Sequence, residues 1–223
     1  MKGKDDLVRY YLSLIDEPRN RLEVMCEDLV VDKVFNHTLL HLARTRQVAR
    51  TIIEYVSKGT SEKEVNKLMT YSEGFEQETA LHTASKRGRV AVVNFLLSFK
   101  EPLRSRLVNA KDRMHNTPLH LSRNSNITKS ILRAMLGTGA ELKNCIEIRN
   151  TAGESPIHSA CQMGRTEVVE FWLEHYPVDV LQTDMEGNTL LQAAVDGGHS
   201  DTAAQILEFC ESDEDALISL VRH

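Results

Sequence analysis

Apolar residues recur along this chain as paired bursts, a sparse one followed by a dense one, with polar turn-forming stretches between the pairs. Val92, Val93, Phe95, Leu96 and Leu97 make one dense burst, and Val168, Val169, Phe171, Trp172 and Leu173 make a second. Ala203, Ala204, Ile206 and Leu207 make a third. Each is apolar enough to predict a buried helix. The sparser partner is a pair of small residues, Ala84 with Ser85, Ala160 with Cys161 and Ala193 with Ala194, and Gly88, Gly164 or Gly198 breaks the chain before the dense burst. Helix, turn, helix is the predicted unit. A similar phrase heads every unit: Thr38 to His41, Thr79 to His82, Thr117 to His120, Ser155 to His158 and Thr189 to Gln192. Its hydroxyl can accept from a free amide of a first helical turn, and Pro118 and Pro156 sit where a missing amide hydrogen costs nothing. A helix is therefore expected to open at every anchor.

The anchors stand at 38, 79, 117, 155 and 189, hence 41, 38, 38 and 34 residues apart. Self-similarity at such a period predicts stacked repeats. The phrase, the small pair, the glycine and the paired-aliphatic helix together resemble the ankyrin repeat, and the turns around Asp112, Asn150 with Gly153, and Asp184 with Gly187 resemble that family's turn. The resemblance covers residues 36 to 209. It implies an all-α ankyrin-repeat solenoid of stacked helix-turn-helix units with long inter-repeat turns, since the family unit is about 33 residues. Departures are Gln47 and Asn126, aligned with the mid-repeat glycine of the first and third copies, and Gln192 in place of the motif histidine.

Glu17, Pro18, Arg21 and Leu22 echo Glu101, Pro102, Arg106 and Leu107, so Leu7, Val8, Tyr11, Leu12, Leu14 and Ile15 are expected on the second helix of a partial repeat. The expected organisation is a single domain over 1–223, with a capping partial repeat over about 1–31 and repeats over about 32–70, 71–110, 111–148, 149–182 and 183–223. Ile206, Leu207 and Phe209 keep an internal apolar pattern, and Leu217, Ile218, Leu220 and Val221 add apolar surface beside them. The parent protein is accordingly expected to continue beyond His223 into another repeat.

Composition narrows the function classes. With 41% hydrophobic and 26% charged residues the chain has the composition of a soluble folded protein, and no apolar run reaches the roughly 20 residues of a spanning helix. The amino terminus lacks an apolar signal core, and Cys26, Cys145, Cys161 and Cys210 lie far apart, so an intracellular, cytoplasmic setting is expected, with the nucleus left open. No nucleophile elbow, Walker loop or zincin motif occurs. His41, His82, His120 and His158 recur once per repeat, about a helix diameter apart, whereas zinc needs its ligands about 2 Å from one ion. No enzyme activity, metal or cofactor is expected, and the asparagine sequons at Asn36 and Asn126 are read as chance. The resemblance implies that these histidines, with Thr38, Thr79, Thr117, Ser155 and Thr189, tie neighbouring turns together.

Charge is unevenly placed. Of 27 Lys/Arg and 32 Asp/Glu, residues 143–223 hold 4 and 15, leaving 23 and 17 for residues 1–142. A net charge of −5, with no interleaving of basic and aromatic residues, argues against nucleic acid. The resemblance implies a concave binding face made by first-helix ends and turn tips, here Arg46, Lys86, Arg87, Arg113, His115, Asn124, Ser125, Gln162, Met163, Glu186 and Asp196. The expected function is a scaffold that binds a protein or peptide partner, without direct membrane insertion. The alternative is a cytosolic regulatory ankyrin domain of a larger ion channel, lipase or kinase whose activity lies outside these residues.

Overall fold

The computed structural model describes residues 38–212 except 59–60, 73–74 and 138. The partial repeat expected over 1–31 and the apolar positions 217–221 lie outside the described residues. What is described is all-α, with one isolated bridge, Thr183 to Thr189, and no strand among the described residues. The chain divides into two compact units, one ending at Arg113 and the other beginning at Met114.

The first unit contains α1 (Leu39–Leu42), α2 (Arg46–Ser57), α3 (Glu62–Met69), α4 (Ala80–Lys86), α5 (Val90–Leu97) and α6 (Leu103–Val108). Within it α1 lies beside α4 and α2 beside α5, so first helices stack on first and second on second. The second unit contains α7 (Ser125–Gly137), α8 (Leu142–Ile146), α9 (Pro156–Gln162), α10 (Thr166–His175), α11 (Leu190–Asp196) and α12 (Ser200–Ser212). Here α9 packs on α11, and α10 packs on both α7 and α12. The dense bursts are the buried second helices: Val92, Val93 and Leu96 in α5 and Val168, Val169 and Trp172 in α10 are almost fully enclosed.

The inserts that lengthen the repeats are helical rather than open turns. α3, α6 and α8 fill them, and each buries its own apolar residues: Val65, Leu68 and Met69, then Leu103, Leu107 and Val108, then Cys145. Ser61 and Glu64 form a capping box at the start of α3, which starts that helix where the repeat pattern has no equivalent.

Two expectations about the repeat interior need correction. Eight residues separate Thr38 from Arg46 and Thr117 from Ser125, against eleven from Thr79 to Val90, Ser155 to Thr166 and Thr189 to Ser200. The first and third copies are therefore three residues short, nearly one helical turn. Gln47 and Asn126 do not replace a mid-repeat glycine; both lie inside the second helices α2 and α7. Nor does a helix open at Thr117. Residues 118–121 form a single turn closed by His120 N–H to Thr117 O at 3.0 Å and Ser122 N–H to Leu119 O at 3.2 Å, and α1 in the first copy is only four residues long. Full-length copies instead bond four residues back, as Thr83 N–H to Thr79 O and Ser159 N–H to Ser155 O do, both at 3.1 Å. With three residues fewer, the chain turns into the second helix before another such bond can form.

The two lengths of repeat also start their second helices differently. In the short copies a side chain caps the helix: Thr45 accepts from Val48 N–H at 3.2 Å and Asn124 from Ile127 N–H at 3.0 Å. In full-length copies Gly88, Gly164 and Gly198 adopt left-handed φ values of 71°, 62° and 74°, and the next residue starts the helix. That next residue is Arg89 or Arg165 where the preceding copy is short. Arg89 Nη1 donates to the carbonyls of His41 and Ala43 at 2.9 and 2.8 Å, and Arg165 Nη1 to those of His120 and Ser122 at 3.2 and 2.8 Å. The carbonyls left open by each truncated turn are thus satisfied by the following repeat. Where the preceding copy is full length the residue is His199, and a Cβ at Gly164 would run into its ring.

Candidate partner-binding surface

The exposed ends of the first helices and the turn tips are held by a repeated local network. In each anchor the histidine or glutamine side chain accepts from the backbone N–H of the Thr or Ser three residues earlier: His41 at 3.2 Å, His82 at 3.1 Å, His120 at 3.2 Å, His158 at 3.4 Å and Gln192 at 2.8 Å. Because Nδ1 of the histidines is the acceptor, Nε2 carries the proton. It donates to a carbonyl of the next turn: His41 to Glu78 at 2.8 Å, His120 to Glu154 at 3.2 Å and His158 to Gln182 at 3.1 Å. Burial, reinforced by the Arg149 charge, pushes the His158 pKa down to about 4, so the ring is neutral at pH 7.

The turn tips are built the same way. Asn150 accepts through Oδ1 from the N–H groups of Ala152 and Glu154, and Asp184 does so from those of Glu186 and Asn188. Burial works against the Asp184 carboxylate, yet these bonds outweigh it and hold its pKa below the ordinary value. Successive tips then bond to one another, Thr151 N–H to Met114 O at 2.9 Å and Met185 N–H to Ala152 O at 3.0 Å.

In the first unit the expected cations differ in availability. Lys86 Nζ lies 2.6 Å from Glu78 Oε1, and that carboxylate, 5% exposed, also accepts from Thr83. Although burial raises the Glu78 pKa, the bond and charge of Lys86 bring the net shift down. Lys86 therefore belongs to the scaffold as much as to the surface. Arg46, first in α2, and Arg87, the C-cap that follows α4, are exposed and form no ion pair among the described residues. Arg113 stacks its guanidinium 3.9 Å from the ring centroid of Phe75, itself 62% exposed. Lys86→Glu is accordingly expected to lower stability by about 1–2 kcal/mol, because it sets a second carboxylate against a buried one, while Arg87→Glu stays within about 0.5 kcal/mol. Equal denaturation midpoints for the two variants would show that the Glu78 pair contributes nothing.

In the second unit His115 is exposed at a turn tip with φ of 58°. Asn124 and Ser125 are not presented as freely as expected, because Asn124 caps α7 and Ser125 donates its hydroxyl to Glu167 at 2.5 Å. Gln162 and Met163, at the end of α9, are exposed. Gln162, Glu186 and Asp196 come together as walls of an open concavity of about 490 Å³, with Met185, Ala152 and Ala193 as its apolar part and Glu154 and Asp184 beneath the tips. No lysine or arginine lines it. Sequence reasoning missed Met185, 76% exposed, and Phe75. The available signal was a large apolar residue in a stretch otherwise composed of turn formers. Among the described residues no group of three His, Cys, Asp or Glu could hold a metal ion, and no helix is long and apolar enough to cross a membrane.

Two family models match this chain. The one for ankyrin repeats in three copies matches residues 123–216, and the one for a single ankyrin repeat matches residues 76–113. Together they span more than half of the chain. They leave out the whole of the short first copy and residues 114–122, which contain the turn that replaces a helix in the short third copy. Among curated proteins the chain is similar to the transient receptor potential cation channel subfamily A member 1 homolog of Caenorhabditis elegans. The two are 25% identical over 224 residues, an alignment that takes in 85% of this chain and 17% of the channel homolog.

Proposed function

The chain belongs to the ankyrin-repeat family, and from that premise we propose that it is a non-enzymatic, cytoplasmic interaction module that binds a protein or peptide partner through first-helix ends and turn tips. The observation that carries this reading is the concavity of the second unit, where Gln162, Glu186 and Asp196 flank the exposed Met185. Repeat stacks present such surfaces on rigid elements, and specificity comes from side chains that the scaffold does not need. Methionine suits this task because its unbranched thioether adapts to different apolar partners. In the first unit Arg46, Arg87 and the Arg113–Phe75 stack supply the complementary cationic and aromatic contacts, a combination enriched at binding hot spots. Acidic partner residues are assigned to this unit. Charge at such a surface steers encounter and fixes register more than it adds affinity.

A photo-reactive amino acid placed at Met163, Met185 or Arg87 tests the assignment, with Glu208 on α12 as the control position. Cross-links to one common partner from the first three positions, and none from Glu208, are expected in the native cytosol. That partner should then associate several-fold more slowly with an Arg46→Glu/Arg87→Glu double variant at low salt. Cross-linking from Glu208 alone, or unchanged association of the double variant, overturns the surface assignment.

A second reading draws on the similarity to the nematode channel homolog: the chain is the regulatory repeat segment of a larger channel-like protein. The chain spans about a sixth of that relative. Sequencing the parent transcript beyond His223 is expected to reveal a further repeat and, later, membrane-spanning helices. A stop codon directly after His223 overturns this second reading and leaves the interaction surface as it stands.

A further inference from the structure

Away from the tips, a cavity of about 260 Å³ lies in the second unit between α9, α10 and the segment that leads to the fifth repeat. Ile146, Ile157, Trp172, Pro177 and Val178 form its apolar walls, Arg149 and Gln182 are its inner polar groups, and Glu147 and Asp179 complete the lining. Trp172 is 1% exposed, and its Nε1–H has no hydrogen-bond partner. An unpaired buried donor is uncommon in a native protein.

The remaining hydrogen-bonding capacity points one way. Arg149 uses Nη1 on the carbonyls of Gly153 and Thr183 and one Nη2 hydrogen on Gln182 Oε1, so two of its five N–H groups are spare. Gln182 has its Oε1 occupied by Arg149 and by the Ser155 hydroxyl, while its amide Nε2 makes no bond among the described residues. The spare groups of Arg149 and Gln182 are all donors. The carboxylates are two and the guanidinium is one, so the lining as a whole is net negative.

We propose that this cavity is a small-molecule site for a neutral amphipathic ligand, an apolar body of about six carbons carrying a carbonyl acceptor. The donors call for an acceptor, the net negative lining disfavours a carboxylate, and the five apolar walls call for a hydrocarbon body. The indole N–H is enclosed, so the acceptor meets the spare donors of Arg149 and Gln182, and Trp172 contributes its ring to the apolar wall. The cavity equals roughly nine water volumes, which suits a body of this size. No bond is made or broken in this step.

Trp172 is the one tryptophan of the chain, which gives the site its own reporter. In a nitrogen-15 correlation spectrum of the full chain a single indole cross-peak is followed while hexanamide is added, and separately hexanoate. Hexanamide is expected to move the peak saturably with a Kd of about 1 mM, the order that ligand-efficiency limits allow for eight heavy atoms. Hexanoate is expected to bind at least fivefold more weakly. Val178→Phe, which fills the cavity from a half-buried loop position, should abolish the movement. If that variant does not fold, nuclear Overhauser contacts between the indole N–H and the ligand methylenes in the unaltered chain decide the matter, since their absence overturns the site. A stationary peak with both ligands overturns it as well, and a preference for hexanoate overturns the assigned head group.

Discussion

Arg165→Ala is expected to lower the unfolding free energy by about 3 kcal/mol, a larger loss than any substitution of an exposed cation in this chain. The side chain is part-buried, and its Nη1 serves the carbonyls of His120 and Ser122 across the truncated turn of the third repeat. Burial, together with the nearby Arg123 charge, pushes its pKa down to about 10, so the guanidinium remains charged at neutral pH and gives charge-assisted bonds. Desolvating that charge offsets part of the gain, which is why the loss stays below the sum of two such bonds. Removing the whole side chain leaves two carbonyls unpaired and a gap where its stem packed. Arg89→Ala should behave alike in the first unit, and Arg133→Ala, on the exposed side of α7, should be close to neutral. Thermal and chemical denaturation of the three variants decide the point. An Arg165→Ala midpoint within about 1 °C of the parent protein would remove this bond pair from the account of the fold.

Stability is expected to fall as pH drops from about 6.5 to about 4, by as much as roughly 3 kcal/mol. Unfolded, His158 takes up its proton near pH 6.5; folded, it resists until about pH 4. Between those values the unfolded chain binds more protons, so acid favours unfolding, and the stabilisation is complete only above pH 6.5. A displacement of about 2.5 pK units corresponds to the stated order of magnitude. His158→Gln isolates the cause. Gln192 shows that glutamine completes the same cap, accepting from Thr189 N–H at 2.8 Å, but it does not titrate. The variant should be about 1 kcal/mol less stable at pH 7.5 and should flatten most of the slope between pH 6.5 and 4. Parallel curves for variant and parent would assign the acid sensitivity to other groups.

The features legible in the sequence were local ones. A hydroxyl residue, a histidine or glutamine three positions on and a dense apolar run specify capping boxes and buried helices from within a dozen residues, and the structure has them at Thr79, Ser155 and Thr189. The lost turns were less visible, because aligning Gln47 and Asn126 with a glycine preserved the expected register. The contrary signal was present: Thr45 and Asn124 are strong helix-starting residues, placed three positions too early. The role of Arg89 and Arg165 could not be read, because their partners lie more than 40 residues away and are backbone atoms, which carry no sequence signature. Of the candidate surface residues, those that merely point outward were identifiable. What could not be read for Lys86, Asn124 and Ser125 is a second role, because their side chains also make structural bonds with Glu78, Ile127 and Glu167.

The dependence of each short repeat on the arginine of its successor has an evolutionary corollary. Ankyrin arrays change length by gain and loss of whole copies, and such an exchange is harmless only when every copy can be cut free of its neighbour. Here the first copy leans on the second and the third on the fourth, and the boundary between the two compact units falls between those couples. As far as these arginine bonds go, the expected unit of exchange is a pair of copies, 38 to 117 or 117 to 189. Duplications or deletions that keep a pair whole should be tolerated, whereas those that split one strand a truncated turn without its cap.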